Sequence, residues 1–468
     1  MRRCGPASTV CDGNIVKSKL SSPFAKKLLA LVFPIAFQQF MSALVSASDA
    51  LMLGALAQDA LSAVSLASQV AFVENLFLAA VTIGLSMFAS QYWGKGDIPS
   101  TERVFSYTMR ITLIVSAAFS LAGLCVPGVL MRLFTDDPIL MDLGAVYLRT
   151  VSAAFFLTGI SQIELCVMKN SGKAARSSVI SSTCVVVNIV LNAGLIFGLL
   201  GIPKMGVAGA ALATVAARCV EVLWCVWETA KRGQVKLRLS GLLACDPVIR
   251  ADFWRYTAPV LGNEIVWGIG FTMYSVIMGH LGSDAVAANA IANIVKNLAA
   301  CFCLGLGSGS GILVGNELGA GRLDTAKEYG GRLCRLSVVC GALSGLVLLA
   351  LTPLILLLTD LSPQADLCLK GMLAMCSYYL VGKSINSTTI AGIFCAGGDS
   401  RFGFLCDAVT MWCVTVPLGL LTAFVFRLPV LAVYFVIGLD EIVKLPAVYR
   451  HYKKYQWVKN LTEKETST

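Results

Sequence analysis

The chain has 468 residues, 57% of them hydrophobic and only 14% charged, with a mean hydropathy of +0.76. That balance excludes a cytosolic enzyme, because soluble domains carry far more charge. Apolar runs of membrane-spanning length recur from end to end, so the expected fold is an all-α integral membrane protein.

The first segment, residues 1–24, holds Arg2, Arg3, Lys17 and Lys19 but no apolar core with a small-residue cleavage site. It is expected to stay in the cytoplasm uncleaved. Twelve spans follow, over residues 28–56, 61–92, 104–127, 145–168, 178–200, 206–229, 256–280, 285–315, 334–358, 369–394, 402–425 and 429–449. Lysine and arginine are retained on the cytoplasmic side of a membrane, and here they alternate with the loops. One set of loops holds Lys95, Arg103, Lys169, Lys173, Arg176, Lys231, Arg232, Lys236, Arg238, Arg250, Arg322, Lys327, Arg332 and Arg401. The other holds little beyond Arg132, Lys204, Lys370 and Arg427, and the tail carries Arg450, Lys453, Lys454 and Lys459. Both termini are therefore expected inside, in a multi-pass protein of the cell's inner (plasma) membrane. The net charge of +10 reads as this topology signal, with no nucleic-acid partner.

The chain also repeats itself. At an offset of 225 residues Pro34 falls on Pro259, Gly54 on Gly279, Asp59 on Asp284, Gly84 on Gly309, Gly94 on Gly319, Gly96 on Gly321, Gly172 on Gly397 and Arg176 on Arg401. This implies two six-helix bundles, 25–229 and 255–450, joined by a basic linker, 230–254, and followed by a cytoplasmic tail, 451–468. Six spans per unit put both copies the same way up, related by a pseudo-twofold axis along the membrane normal.

Polar groups inside apolar runs are costly, about 2.5 to 3.5 kcal/mol for a charge at the bilayer centre, and so mark function or pairing. Those that stand out are Asp49, Asn188, Asn192, Glu264, Lys296, Lys383, Asp440, Glu441 and Lys444. Asp49, in SASDALMLG, lies about 33 Å along its helix from Lys27 and belongs to the outer half of the membrane. Glu264 belongs near mid-depth or in the inner half. The repeat places Tyr274 opposite Asp49 and Gln39 opposite Glu264, so each bundle has an acid that the other lacks. Asn188 and Asn192 share a helix face, able to complete an oxygen-lined cation site or to bond a neighbouring helix. Asp440 and Lys444 have the spacing of a plain ion pair. Pro34, Pro259 and Pro417 interrupt helices, as kinks or as hinges. Gly305 to Gly311, GLGSGSG, lacks the lysine of a phosphate loop and reads as close helix packing. Seventeen cysteines lie mostly in apolar runs, among them Cys184, Cys301, Cys303, Cys376 and Cys413, and are expected reduced. With two histidines, His280 and His451, and no GxSxG or HExxH, neither an enzyme nor a histidine metal site is expected.

Six stretches in order, Asp49 with Gly54, GLSMFASQYWGKGD, NIVLNAGLIFG, GVAGAALAT, APVLGNEIVWGIG and IFCAGGDSRFG, resemble the multidrug and toxic compound extrusion (MATE) transporters of bacterial type, over about residues 25 to 450. The resemblance implies a monomeric secondary active exporter that alternates between two openings and exchanges small organic cations for Na+ or H+, with no cofactor. It implies that Asp49 binds the coupling cation with Asn188, Asn192 and Thr214, Na+ being a candidate there. It implies that Glu264 belongs to a second cation or substrate site. Gln39, Trp267, Tyr274 and Tyr378 are candidates to line the central cleft, where aromatic faces suit lipophilic cations; core packing is the alternative for each. Two positions depart from the family pattern: Asn192 stands where many relatives have aspartate, and Gly382 with Lys383 stand near where some have one. The expectation for Lys383 is an ion pair with Glu264. A lipid-linked precursor flippase of the same superfamily is the alternative function, and would favour a cleft rich in basic residues; a channel would need a filter-like loop, which is not evident.

Overall fold

The computed structural model describes residues 23–198, 203–231, 234–238, 241–242, 246–359 and 361–463. Most of the amino-terminal segment, Arg232 and the last five residues lie outside these. The described chain is helical, with no strand. In chain order the helices are α1 Pro23–Leu56, α2 Gln58–Lys95, α3 Ile98–Cys125, α4 Pro138–Asn170, α5 Ala174–Phe197, α6 Gly206–Thr229, α7 Pro247–Gly279, α8 Ser283–Gly319, α9 Leu323–Leu358 and α10 Pro363–Asn386. The last continues as π-helical turns, Ser387–Phe394. The eleventh, α11, opens at Ser400–Val409 and runs on through π turns at Thr410–Thr415 and Leu421–Val425. The twelfth, α12, is in three pieces: Val430–Ile437, Asp440–Val443 and Leu445–Tyr452.

Ten of these are long and apolar enough to cross a membrane. The two that fall short are informative. Lys370 and Lys383 dilute α10, and α12 is broken where Asp440, Glu441 and Lys444 sit.

The start points follow from local chemistry. Proline opens α4, α7 and α10, where its missing N–H costs nothing. The residue before each proline caps the helix: Asp137 accepts from Ile139 N at 2.9 Å, Asp246 from Val248 N at 3.0 Å, and Ser362 from Ala365 N at 3.1 Å. Thus α7 begins at Pro247, inside the stretch expected as linker. Gly96 and Gly321, paired by the repeat, both adopt left-handed φ, 80° and 72°, and end α2 and α8. Pro34 and Pro259 do not interrupt their helices; α1 and α7 run unbroken through them.

The two bundles meet along α1 against α8 and α2 against α7, and the repeat is visible in the contacts themselves. A Cβ on Gly84 would strike Thr257, and one on Gly309 would strike Val32; the offset carries each contact into the other. Likewise Gly94 lies on the Asn316 backbone and Gly319 on the Gln91 backbone. This is a pseudo-twofold axis written in pairs of residues. Leu28, Leu31 and Ile35 join Leu306, Ile312, Leu313 and Phe394 in one buried cluster across this seam. In GLGSGSG, Gly305 faces Ala36, Gly307 faces Ser387 and Gly311 faces Gly392, so the run is a helix-packing surface.

With twelve spans both chain ends lie on one face, here called the terminal face. There Lys27 Nζ lies 3.4 Å from Glu317 Oε1. Gln91 Nε2 donates to Ala396 O at 2.7 Å and to Lys459 O at 3.2 Å, and Gln91 Oε1 accepts from Leu461 N at 2.6 Å. Trp457, fully buried, packs against Gly330 and Gly397. The segment after α12 is thus a strap joining α2 to the second bundle.

Candidate functional site

The candidate residues named from the sequence gather in two polar centres inside the spans. The first is in the amino-terminal bundle. Asp49 sits seven residues before the end of α1, away from the terminal face. The α5 face brings Asn192 to it: Asn192 Nδ2 donates to Asp49 Oδ1 at 2.6 Å and to Asn188 Oδ1 at 3.2 Å. Asn188 Nδ2 approaches Thr214 Oγ1 on α6 at 3.5 Å, while Thr214 gives its own proton to Ala210 O at 3.1 Å. The four residues named together from the sequence are one hydrogen-bonded chain across α1, α5 and α6. Asn188 and Asn192 are 5% and 1% exposed. Asn192 Oδ1 is buried with no hydrogen-bond partner, an expensive vacancy for a carbonyl oxygen. The chain therefore offers a carboxylate, two amide oxygens and a hydroxyl, all hard oxygen donors of the kind that hold a small cation or a proton.

The second centre gathers around two adjoining cavities of about 410 Å³ and 430 Å³ that share Trp267, Leu304 and Lys383; the first lies between the bundles, with Gln39, Thr82 and Asn170 on its amino-terminal side, and the second is lined mostly by the carboxy-terminal bundle. Gln39, Trp267 and Glu264 line the first; Trp267, Tyr274 and Tyr378 line the second. All four cleft candidates thus face a cavity. Trp267 stacks on Phe271 with centroids 5.5 Å apart.

The charges here differ from the expectation. Lys383 does not pair with Glu264; its Nζ lies 3.2 Å from Glu441 Oε1 and 5.5 Å over the Trp267 ring. The cause is Gly382, where a Cβ would meet Glu441 Cβ at 3.0 Å: the bare glycine lets α12 approach α10 and hands Glu441 to the next residue. Nor does Asp440 pair with Lys444. Lys444 Nζ lies 3.0 Å from Glu441 Oε2 and 2.8 Å from Asp407 Oδ1. The i, i+4 spacing is overridden because Glu441 and Asp407 take the Lys444 ammonium, while Asp440 accepts from Glu441 N at 2.8 Å and reaches the second cavity. Asn386 Nδ2 adds a bond of 2.7 Å to Glu441. Two lysines and two carboxylates, Asp407 and Glu441, close on each other as buried charges must. Glu264 is left facing the first cavity with no ion pair within 4 Å among the described residues.

Asp407 escaped sequence reading because it falls near the start of its span, where a charge is cheap. Glu74, 2% exposed, and the Arg218–Glu221 pair at 2.5 Å were also missed. The cost argument applied to Asp49 would have flagged them, since each interrupts an apolar run. The described cysteines are all free, and no cluster of histidine, cysteine and acidic residues among the described residues could hold a metal.

Set beside known proteins, residues 34–193 and 259–421 each match a family model described as MatE. The two matches open at Pro34 and Pro259, the pair that the internal repeat superposes. The multidrug resistance protein NorM of Burkholderia vietnamiensis is 26% identical over 407 residues, covering 84% of this chain and 86% of that protein. An uncharacterized transporter of Bacillus subtilis, YisQ, is 22% identical over 436 residues, covering 92% and 94%. The crystal structure of a MATE in complex with MaL6 superposes with a TM-score of 0.85 at 18% identity, covering 93% of this chain and 97% of that one.

Proposed function

The chain belongs to the MatE family of membrane transporters, and from that premise we propose that it is a secondary active multidrug exporter, exchanging small organic cations for Na+ or H+ by alternating access. The observation that carries this reading is the chain Asp49–Asn192–Asn188–Thr214 with its orphaned Asn192 oxygen. Asp49 is one negative charge in a poorly solvated place, with one oxygen engaged by an amide N–H. A proton or Na+ removes the charge, and with it the reason for α5 to present the Asn192 donor to α1. The ion thereby changes which packing of the bundle is preferred, and a gradient of that ion biases the two openings. Here Na+ or H+ is a transported substrate, and no resident cofactor is invoked. Asn192 in place of an acid leaves a single formal charge, which suits one proton or a weakly held Na+.

The second centre is the candidate drug site. Glu264 is its uncompensated carboxylate, while Trp267, Tyr274 and Tyr378 supply aromatic faces. The cleft holds more lysine than the sequence suggested: Lys169, Lys383 and Lys444 line the first cavity and Lys296 the second. Carboxylates offset them, namely Glu264, Asp407, Glu441 and Asp440, so the surface is mixed and not the basic one that a lipid-linked precursor would favour. The terminal face is read as cytoplasmic from the lysine and arginine of its loops, and the protein as a monomer of the plasma membrane.

The test is efflux of an ethidium-like dye from vesicles, with Na+ and pH gradients imposed separately. Asp49→Asn should abolish gradient-driven efflux while the protein still inserts in normal amount; efflux at the wild-type rate would refute the assignment.

A further inference from the structure

The sequence puts a lysine in the middle of α8, where insertion alone costs about 2.5 to 3.5 kcal/mol. Lys296 lies 13 residues from the start of α8 at Ser283, about 20 Å along the helix, too deep for its head to snorkel freely to the far surface. The other deep lysines are answered by carboxylates: Lys383 by Glu441, and Lys444 by Glu441 and Asp407. Lys296 is not. Among the described residues no carboxylate lies within ion-pair distance, 4 Å, of its Nζ; Asp440 and Glu441 act on it only from farther off, and its contact is with the Tyr379 ring, 4.9 Å to the centroid. A cation–π contact returns about 0.5 to 2 kcal/mol, less than insertion costs.

Its neighbours are ligand-like. Asn289, Asn293 and Asn297 recur every fourth residue on the same face of α8 and line the second cavity with Lys296. Asn293 Nδ2 donates to Asn289 Oδ1 at 3.3 Å, which orders two of them. Opposite lie Trp267, Phe271, Tyr274 and Tyr378, and Asp440 also reaches the cavity. Asp440 is itself held, one oxygen accepting from Glu441 N at 2.8 Å. One cavity thus offers an aromatic wall, an amide ladder, a lysine with no described carboxylate in ion-pair contact and, beyond that distance, the carboxylate of Asp440.

We propose that Lys296 is the specificity-determining residue of this second cavity and that the cavity takes aromatic amphiphiles bearing a carboxylate, zwitterions included, whose anionic group docks on Lys296. The inference rests on the reading of the cleft as the drug site and narrows its substrates: a plain organic cation leaves Lys296 unanswered, whereas a zwitterion satisfies Lys296 with its carboxylate and presents its cationic end to Asp440 and the aromatic faces. The occupant neutralises a buried charge that the protein leaves open, and that difference separates acid from ester.

The experiment uses tetramethylrhodamine, which carries a free carboxylate, and its methyl ester, which does not. Binding of each to the purified, detergent-solubilised full chain is read by dye anisotropy, with no ion gradient. Lys296→Gln should weaken the free acid about tenfold, as expected for loss of one charge-assisted contact, and leave the ester within about twofold, while Lys296→Arg, which keeps the charge, should retain the acid. Equal loss of both dyes in Lys296→Gln with equal loss in Lys296→Arg would mean packing only and overturn the proposal, as would no change for either dye. If the wild-type chain bound neither dye, the drug-site reading would fall and this inference with it; if it bound both and Lys296→Gln did not discriminate, only this inference would fall.

Discussion

At the scale of single residues, the cost of a buried polar atom decides what can be predicted. Asn192 presents an unpaired oxygen beside Asp49, so Asn192→Asp adds a second charge to a site already shaped for a cation. We expect it to lower the Na+ concentration for half-maximal efflux by about tenfold, the effect of one further charged contact, measured by titrating Na+ in dye-loaded vesicles. The charged quartet makes a different prediction. Lys444 answers two carboxylates, Lys383 only one, and Glu441 keeps a lysine when Lys383 is removed. Lys444→Met should therefore cost about 3 to 5 kcal/mol and Lys383→Met clearly less, read as the order of thermal unfolding midpoints in detergent. The sequence exposed Asp49, Glu264, Asn188 and Asn192 because each breaks an apolar run. It did not expose their partners, because Lys383 and Glu441 meet through Gly382, a contact between helices that no spacing within either helix encodes.

Among the elements, the spans were readable as apolar stretches, but α4, α7 and α9 begin at Pro138, Pro247 and Leu323, well before the expected 145, 256 and 334, because a helix continues past the apolar run into polar residues up to its cap. What was not readable was continuity. Proline at positions 34 and 259 reads as an interruption, yet neighbouring helices hold α1 and α7 straight enough to remain single elements. Conversely α12 reads as one span and is three pieces. The glycine pairs of the seam give an element-scale test. Gly94→Val puts a branched side chain onto the Asn316 backbone, and overpacking of this kind costs about 1 to 3 kcal/mol. It should lower the unfolding midpoint and raise labelling of nearby cysteines from the terminal face. Gly96→Ala, at a site with open space but left-handed φ, should cost less, about 1 kcal/mol.

For the whole molecule, the proposed alternating access requires the seam to open at the terminal face. Cysteines at Lys27 and Glu317, whose side chains lie 3.4 Å apart, joined by a short bifunctional maleimide, should stop efflux, whereas either single substitution treated alike should not; efflux by the bridged protein would mean that the seam stays shut during transport. The duplication was legible as a numerical offset, but only the structure shows it as geometry, with Gly84 on Thr257 answering Gly309 on Val32.

That seam has a mechanical consequence. Where glycine lies on backbone, as Gly94 does on Asn316 and Gly319 on Gln91, there are no rotamers to interdigitate, so at those points rejoining requires no search among side-chain conformations; the cost of parting is concentrated in the cluster of Leu28, Leu31 and Ile35 against Leu306, Ile312 and Leu313. Dispersion contacts are given up, and the amides of Gln91 and Asn316 can be rewetted at once. The glycine contacts thus act as a bearing that fixes the register of the two bundles, while the apolar cluster beside them acts as the latch that holds the seam closed.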